Sequence, residues 1–405
     1  MILSPERRGN ERRDELRLVR VPLDPTLLAA ALGIVVFGLA MVGSASISVA
    51  ADRAGNPFHF LIRQGAYVVL GLFLGWHIMR IPLRAWEKAG PILLLASVGL
   101  LMLVLVPGLG RNVNGSTRWL GFGPLTVQPS ELAKLFSIVY LSGYLVRRRQ
   151  EVRHSVWGFV KPLLVLGVLA FLLLLEPDFG TSVVILATAM GLLFLAEVRA
   201  WQFVVLFIPV MAGLAGLAVV APYRLHRLVS FLDPWADSYG KGYQLSQALI
   251  AFGRGEWFGV GLGGSVQKLH YLPEAHTDFL FAVLAEELGL VGVLLVIGLF
   301  SYLVWRAFAV AVQAERLGNP FAGYLAYGIG LWIGMQAFIN LGVNMGVLPT
   351  KGLTLPLMSY GGSSVMVTCV AIAVLLRAAG ELRLAKLALQ PKGLAPQDTE
   401  QLTTD

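Results

Sequence analysis

Between residues 26 and 380 this 405-residue chain consists mostly of apolar runs, each about as long as a bilayer is thick, separated by polar connections. A hydrocarbon core of about 30 Å takes roughly 20 residues of helix. Inside lipid the backbone must satisfy its own hydrogen bonds, so helices are the natural reading of such runs. Only 14% of the residues are charged, well below the roughly 25% of soluble domains. The runs fall at about 26–48, 61–79, 90–107, 130–146, 160–175, 181–197, 201–221, 278–305, 321–345 and 361–380. The expected fold is therefore an all-α polytopic membrane protein of about ten transmembrane helices. A basic tail (1–25) precedes the membrane domain (26–380), and a second tail (381–405) follows it.

Basic residues set the orientation. Arg80, Arg84 and Lys88, then Arg147, Arg148, Arg149, Arg153 and Lys161, then Arg199, Arg306 and Arg316 share one side with both tails. The opposite loops hold Arg53, Arg111, Arg118 and Lys351. By the positive-inside rule the first side, with both termini, is cytoplasmic. The net charge of +8 is spent on these clusters and forms no single nucleic-acid-binding face. No short apolar segment with a small-residue cleavage site precedes the first span, so no cleaved signal peptide is expected. The single cysteine, Cys369, lies in the last apolar run and reads as a small buried hydrophobe.

The outer connections carry most of the polar chemistry. Residues 108–130 are too rich in turn formers for a helix, and Glu176-Pro177-Asp178-Phe179-Gly180 makes a tight turn. The connection from 222 to 277 is long enough to be structured or functional. Within it 243–252 reads as an amphipathic helix, and Trp235, Tyr239, Trp257 and Tyr271 suit a headgroup region. The run 342–364, GVNMGVLPTKGLTLPLMSYGGSS, is broken by glycine and proline. Irregular backbone at that depth is tolerated only against protein or a watery cavity.

One crossing concentrates ionisable groups: KLHYLPEAHTDFLFAVLAEELGL at 268–290. Thr277 and Asp278 stand where a helix should begin, and both are good N-caps. The same position suits a general base at the outer mouth, held ionised by the positive helix end. Glu274 and His276 add a second carboxylate and a hydrogen-bonding ring, with His276 read as orienting the loop. Glu286 and Glu287, about 12 Å deeper, are weighed toward structure over catalysis. In the fourth span Glu131 and Lys134 are three residues apart, so an ion pair is the plain reading. Arg118, Lys134 and Lys351 on one side nevertheless suit a diphosphate, which Arg grips as a fork and Lys as a point charge. No phosphate loop, GxSxG, HExxH or Cys/His metal spacing occurs. The residues alone point to an outward site with a carboxylate and cations for an anionic, lipid-linked ligand, served by an enzyme or a transporter.

LPEAHTDFLFAVLAEELG, QPSELAK, EPDFGTS and PTKGLTLPLMSYGGSS, in that fold context, resemble the SEDS (shape, elongation, division, sporulation) family. Ala275 in LPEAHTDF, the basic N-terminal tail and RAGNPFHFL are more similar to its FtsW branch than to RodA. The resemblance implies a peptidoglycan glycosyltransferase that polymerises lipid II at the outer face of the cytoplasmic membrane during septal cell-wall synthesis. It puts the family's essential acid on Asp278 and polar cavity positions on Arg118, Glu131, Lys134, Glu274 and Lys351. His276 and Ser359, in the same motifs, complete the expected substrate-contacting set. Expected partners are a septal class B penicillin-binding protein, other division proteins and membrane lipid; a divalent cation, magnesium or manganese, is entertained at the diphosphate. A lipid II flippase, a non-catalytic scaffold and the RodA-type paralogue are the alternatives.

Overall fold

The computed structural model describes residues 22–113, 116–122, 125–205, 233–240, 242–349 and 352–389. Its helices are α1 (Pro25–Ala54), α2 (His59–Ile78), α3 (Leu83–Leu105), α4 (Pro129–Arg147), α5 (Arg149–His154), α6 (Val156–Leu175), α7 (Phe179–Leu195), α8 (Tyr243–Gly255), α9 (Leu280–Arg316), α10 (Pro320–Asn344) and α11 (Gly362–Leu389). Among the described residues seven of them, α1, α2, α3, α6, α9, α10 and α11, are long and apolar enough to cross a membrane. The α7 helix is apolar but shorter. Most of the run expected at 201–221 lies outside the described residues, as do residues 1–21 of the first tail and 390–405 of the second. The last helix continues to Leu389, past the expected end near 380.

Local sequence explains where the helices start. Pro25, Pro129 and Pro320 occupy first helical positions, where their missing N–H costs nothing. Asp24 caps α1 through Thr26 N and Leu27 N, Asp178 caps α7 through Thr181 N, and Asn319 caps α10 through Ala322 N. The core is built on α9, α10 and α11. The first two pack together, α9 also packs on α1, and α11 packs on α2.

The expectation of an all-helical chain needs one correction. Residues 110–127 form a small antiparallel sheet, β1 (Gly110–Val113), β2 (Ser116–Phe122) and β3 (Leu125–Val127), in the order β1-β2-β3. Trp119 pairs with Arg111 and Leu120 with Val127. The turn residues that argued against a helix mark hairpins.

The long helix α9 is broken. Gly289 adopts φ 63°, ψ −161° inside it, freeing backbone groups on both sides of the kink. Those groups are taken up by residues 256–261, which thread into the break. The N–H of Val260 donates to Glu286 O (3.0 Å) and that of Gly261 to Glu287 O (3.1 Å). In return Leu290 N donates to Glu256 O (2.9 Å) and Val291 N to Trp257 O (3.2 Å). A Cβ at Gly289 would meet Gly259 N at 2.5 Å and Phe258 N at 2.6 Å. The site therefore needs glycine for both its positive φ and its close approach.

The two glutamates beside the kink clamp the same loop. Fully buried Glu286 accepts from Arg254 Nη1 (2.7 Å), Ser265 Oγ, Val266 N (3.1 Å) and Gln267 N (3.3 Å). Equally buried Glu287 accepts from Lys268 Nζ (2.7 Å) and Ser44 Oγ (2.7 Å). Being adjacent on a helix, they turn to different partners, and both tie the 254–268 segment to the core. The amphipathic helix read at 243–252 appears as α8, whose Phe252 meets Phe281 edge-on at 5.6 Å.

The kink yields a prediction. Gly289→Ala forces a side chain into a backbone region that essentially only glycine occupies, worth about 1–3 kcal/mol, and drives its Cβ into backbone. The variant is expected to lose at least that much stability in detergent melts; wild-type melting would contradict the account.

Candidate active site

The 272–279 loop is built so that Asp278 stands at the start of α9 without capping it. The cap residue of α9 is Phe279, with no side-chain cap bond, which corrects the expectation that Thr277 or Asp278 performs that role. The cap comes instead from α10. Asn344 Oδ1 accepts from Ala282 N (3.1 Å), while Asn344 Nδ2 donates to the backbone oxygen of Asp278 (2.9 Å). Asn340 Nδ2 donates to the same oxygen (2.9 Å) and to Leu353 O (2.6 Å). One turn earlier, Gln336 Nε2 donates to Thr354 O (2.9 Å). Gln336, Asn340 and Asn344 thus form a row at spacing four on one face of α10, as helix geometry requires. The row fixes the Asp278 main chain and the irregular 352–361 segment together.

With its backbone so occupied, the Asp278 carboxylate is left for chemistry. Among the described residues no donor reaches it in hydrogen-bonding geometry, and a Cβ at Gly352 would lie 3.2 Å from its Oδ2. Burial raises its pKa to about 7; the Glu274 and Asp178 charges push the same way, and the Arg118 guanidinium opposes them. That shift runs against the helix-end effect expected to hold the carboxylate ionised. The helix-end effect, typically below about 1 kcal/mol, is outweighed by burial, each pKa unit corresponding to about 1.4 kcal/mol. A carboxylate titrating near neutrality is a better proton acceptor than an ordinary aspartate.

Arg118 and the turn at 176–178 complete this side of the site. From β2, Arg118 donates through Nε to Glu176 O (3.0 Å) and through Nη2 to Pro177 O (2.5 Å). Asp178 is held by Thr181 N (3.2 Å) and Thr181 Oγ1 (3.0 Å). Glu274, in a left-handed conformation at φ 57°, accepts from Thr277 Oγ1 (2.7 Å).

Other expected site residues are placed differently. Lys134 is 1% exposed. It donates to Glu131 Oε1 (2.8 Å) and Gln336 Oε1 (2.8 Å), and it lies 5.1 Å from the centre of the Trp332 ring. Its charge is consumed inside the bundle, and Glu131 is its partner. His276 is buried with its ring 4.6 Å from Phe60 and 5.5 Å from Tyr360. Burial lowers its pKa, with Glu274 opposing and Arg53 assisting, so the ring is neutral near pH 7. Ser359 Oγ accepts from Leu355 N (3.0 Å) and closes the turn before α11, while Gln64 Nε2 donates to Ser359 O (3.0 Å). Lys351 lies outside the described residues.

Sequence reasoning missed the amide row. Its signal was present as three amides four residues apart on an otherwise apolar helix. Gln64 gave no comparable signal. Among the described residues there is no group of three or more His, Cys, Asp or Glu side chains that could hold a metal ion.

A buried ion pair is tested by breaking it. Lys134→Met leaves Glu131 as an unpaired buried charge and should cost about 3–5 kcal/mol. The double change with Glu131→Gln should recover most of that loss in detergent melts. Undiminished stability in the single variant would overturn the structural reading of Lys134.

Comparison with known proteins places this geometry. The model of a family described as cell cycle protein, covering FtsW, RodA and SpoVE, matches residues 25–384. The chain is similar to the "Probable peptidoglycan glycosyltransferase FtsW" of Nitrosococcus halophilus, 60% identical over 90% of this chain and 94% of the relative. It is also similar to the protein of the same name from Legionella pneumophila, 54% identical over 91% of this chain and 93% of that one. Among solved structures it resembles a chain of a peptidoglycan synthase complex described as coordinating polymerization and crosslinking (TM-score 0.72, 32% identity, 92% of this chain and 100% of that one). It also resembles the rod shape determining protein RodA of Thermus thermophilus (TM-score 0.64, 29% identity, 88% and 96%).

Proposed function

The chain belongs to the cell cycle protein family of FtsW, RodA and SpoVE, the SEDS family, in its FtsW branch, and from that membership we infer that it is a peptidoglycan glycosyltransferase acting on lipid II. We propose that this multi-pass membrane protein has ten spans, both termini in the cytoplasm and its active mouth outward at the septum. The observation that carries the assignment of its centre is Asp278, a carboxylate without a hydrogen-bond donor among the described residues and raised to about 7.

In this reading Asp278 accepts the proton of the acceptor sugar's 4-hydroxyl as that oxygen attacks the anomeric carbon of the donor. The C–O bond to the leaving undecaprenyl diphosphate breaks as the glycosidic bond forms. Proton transfer by a positioned base contributes about 10²–10⁴-fold. Arg118, with Lys351 as the second expected cation, neutralises the departing diphosphate, a term at least as large. A divalent cation, magnesium or manganese, would add to that charge neutralisation at the diphosphate when bound. One carboxylate and direct displacement give inversion at the sugar carbon; retention would need a second carboxylate about 5 Å away. Glu274 and His276 shape the loop that holds Asp278. The proposed partner is a septal class B penicillin-binding protein, which would crosslink the glycan made here, among other division proteins.

Two outcomes test this. Purified chain given lipid II, alone and with its partner transpeptidase, should form glycan ladders, and Asp278→Asn should lower the rate by about 10²–10⁴-fold while remaining folded. Wild-type polymerisation by that variant would refute the base assignment. Lipid II scrambling independent of Asp278, with no ladder, would favour a flippase, and normal division with the variant would favour a scaffold.

The pH dependence has a definite sign. The base works deprotonated, so kcat/KM should rise with pH through about 7. Glu274→Gln removes a charge that raises the Asp278 pKa and should move the rise to lower pH. Arg118→Gln removes one that lowers it and should move the rise to higher pH. A rise centred near 4 in the wild type would contradict the burial argument.

A further inference from the structure

One buried titratable group beside the site has no use in the mechanism above. Glu176 is 1% exposed, and neither of its carboxyl oxygens has a hydrogen-bond partner among the described residues. An unpaired buried carboxylate is strongly unfavourable when ionised, and orphaned buried polar groups are rare enough to call for a reason. Its own backbone oxygen, with that of Pro177, holds the Arg118 guanidinium. The charged groups whose fields reach its carboxyl are Asp178, from the start of α7, and Arg118, from β2. Those same two act on Asp278.

Resting on the glycosyltransferase reading, we propose that Glu176 is a positioning residue that works as a neutral acid, leaving Arg118 seated on the 176–177 carbonyls with its charge directed to the substrate diphosphate. Ionised, Glu176 would compete for Arg118 and set a second negative charge beside an anionic substrate. Burial first, and the Asp178 charge second, raise its pKa to about 8, against the pull of Arg118. The neutral form therefore prevails near pH 7. Activity should then climb as Asp278 loses its proton and fall again as Glu176 loses its own.

The test is the pH profile of lipid II polymerisation by the full chain with its partner. The wild type should lose rate above about pH 8, tending to tenfold per pH unit. Glu176→Gln, which mimics the neutral acid in shape and charge, should stay within about twofold at pH 7 and lose that descending limb. Glu176→Asp, which shortens the side chain and keeps its ability to ionise, should retain a descending limb. A limb that persists unchanged in Glu176→Gln, or a wild type with none, would overturn the proposal. If Glu176→Gln fails to fold, infrared titration of the Asp278→Asn protein replaces it: a protonated-carboxyl band that disappears through about pH 8 supports the proposal, and the absence of such a band overturns it. A wild type that makes no glycan at any pH would count against the glycosyltransferase reading itself, and the infrared titration would still decide the state of Glu176.

Discussion

Backbone that is not helical yet lies within a membrane domain must find its hydrogen bonds in side chains or in other backbone, because lipid supplies none. Two devices meet that demand here, and the site depends on both. One is the kink at Gly289, whose freed groups are taken up by residues 256–261 while Glu286 and Glu287 hold the neighbouring loop. The other is the amide row Gln336, Asn340 and Asn344, which binds the irregular 352–361 segment and the main chain at Asp278. A row of amides on a rigid helix positions a loop more accurately than the loop could position itself.

That division of labour leaves the Asp278 carboxylate free of structural duty. Its main-chain oxygen carries the fixing bonds, and the capping of α9 is handed to Asn344. What remains at the carboxylate is burial and the opposed fields of Glu274, Asp178 and Arg118. A buried acid set against like charges and one cation is the arrangement that moves a carboxyl toward neutrality, which is what a base working near pH 7 requires. Glu176 repeats the pattern, under the fields of the same Arg118 and Asp178. Two carboxyls and one guanidinium are thus coupled through shared fields.

Much of this was legible in the sequence, in proportion to how local the cause is. Apolar runs announced the helices, since span length is set by the bilayer, and 243–252 announced α8 by its periodicity. The ion pair of Glu131 and Lys134 followed from spacing alone. Tertiary causes stayed hidden. The cap of α9 comes from Asn344, some sixty positions away in the chain, and no local rule reaches it. The elevated pKa of Asp278 reflects burial, which the sequence motif does not carry; the helix-end argument available locally had the opposite sign and a smaller size. The sheet at 110–127 was read only as a non-helical loop, because short hairpins leave a weak pattern.

Burial, tempered by Arg118, holds the Asp278 carboxyl near neutrality in the resting protein. Carbon-13 NMR titration of aspartate-labelled protein, with the signal assigned by its loss in Asp278→Asn, reads that directly. A midpoint close to 7, moving upward in Arg118→Gln, is the predicted result; a midpoint near 4, insensitive to Arg118, would contradict it.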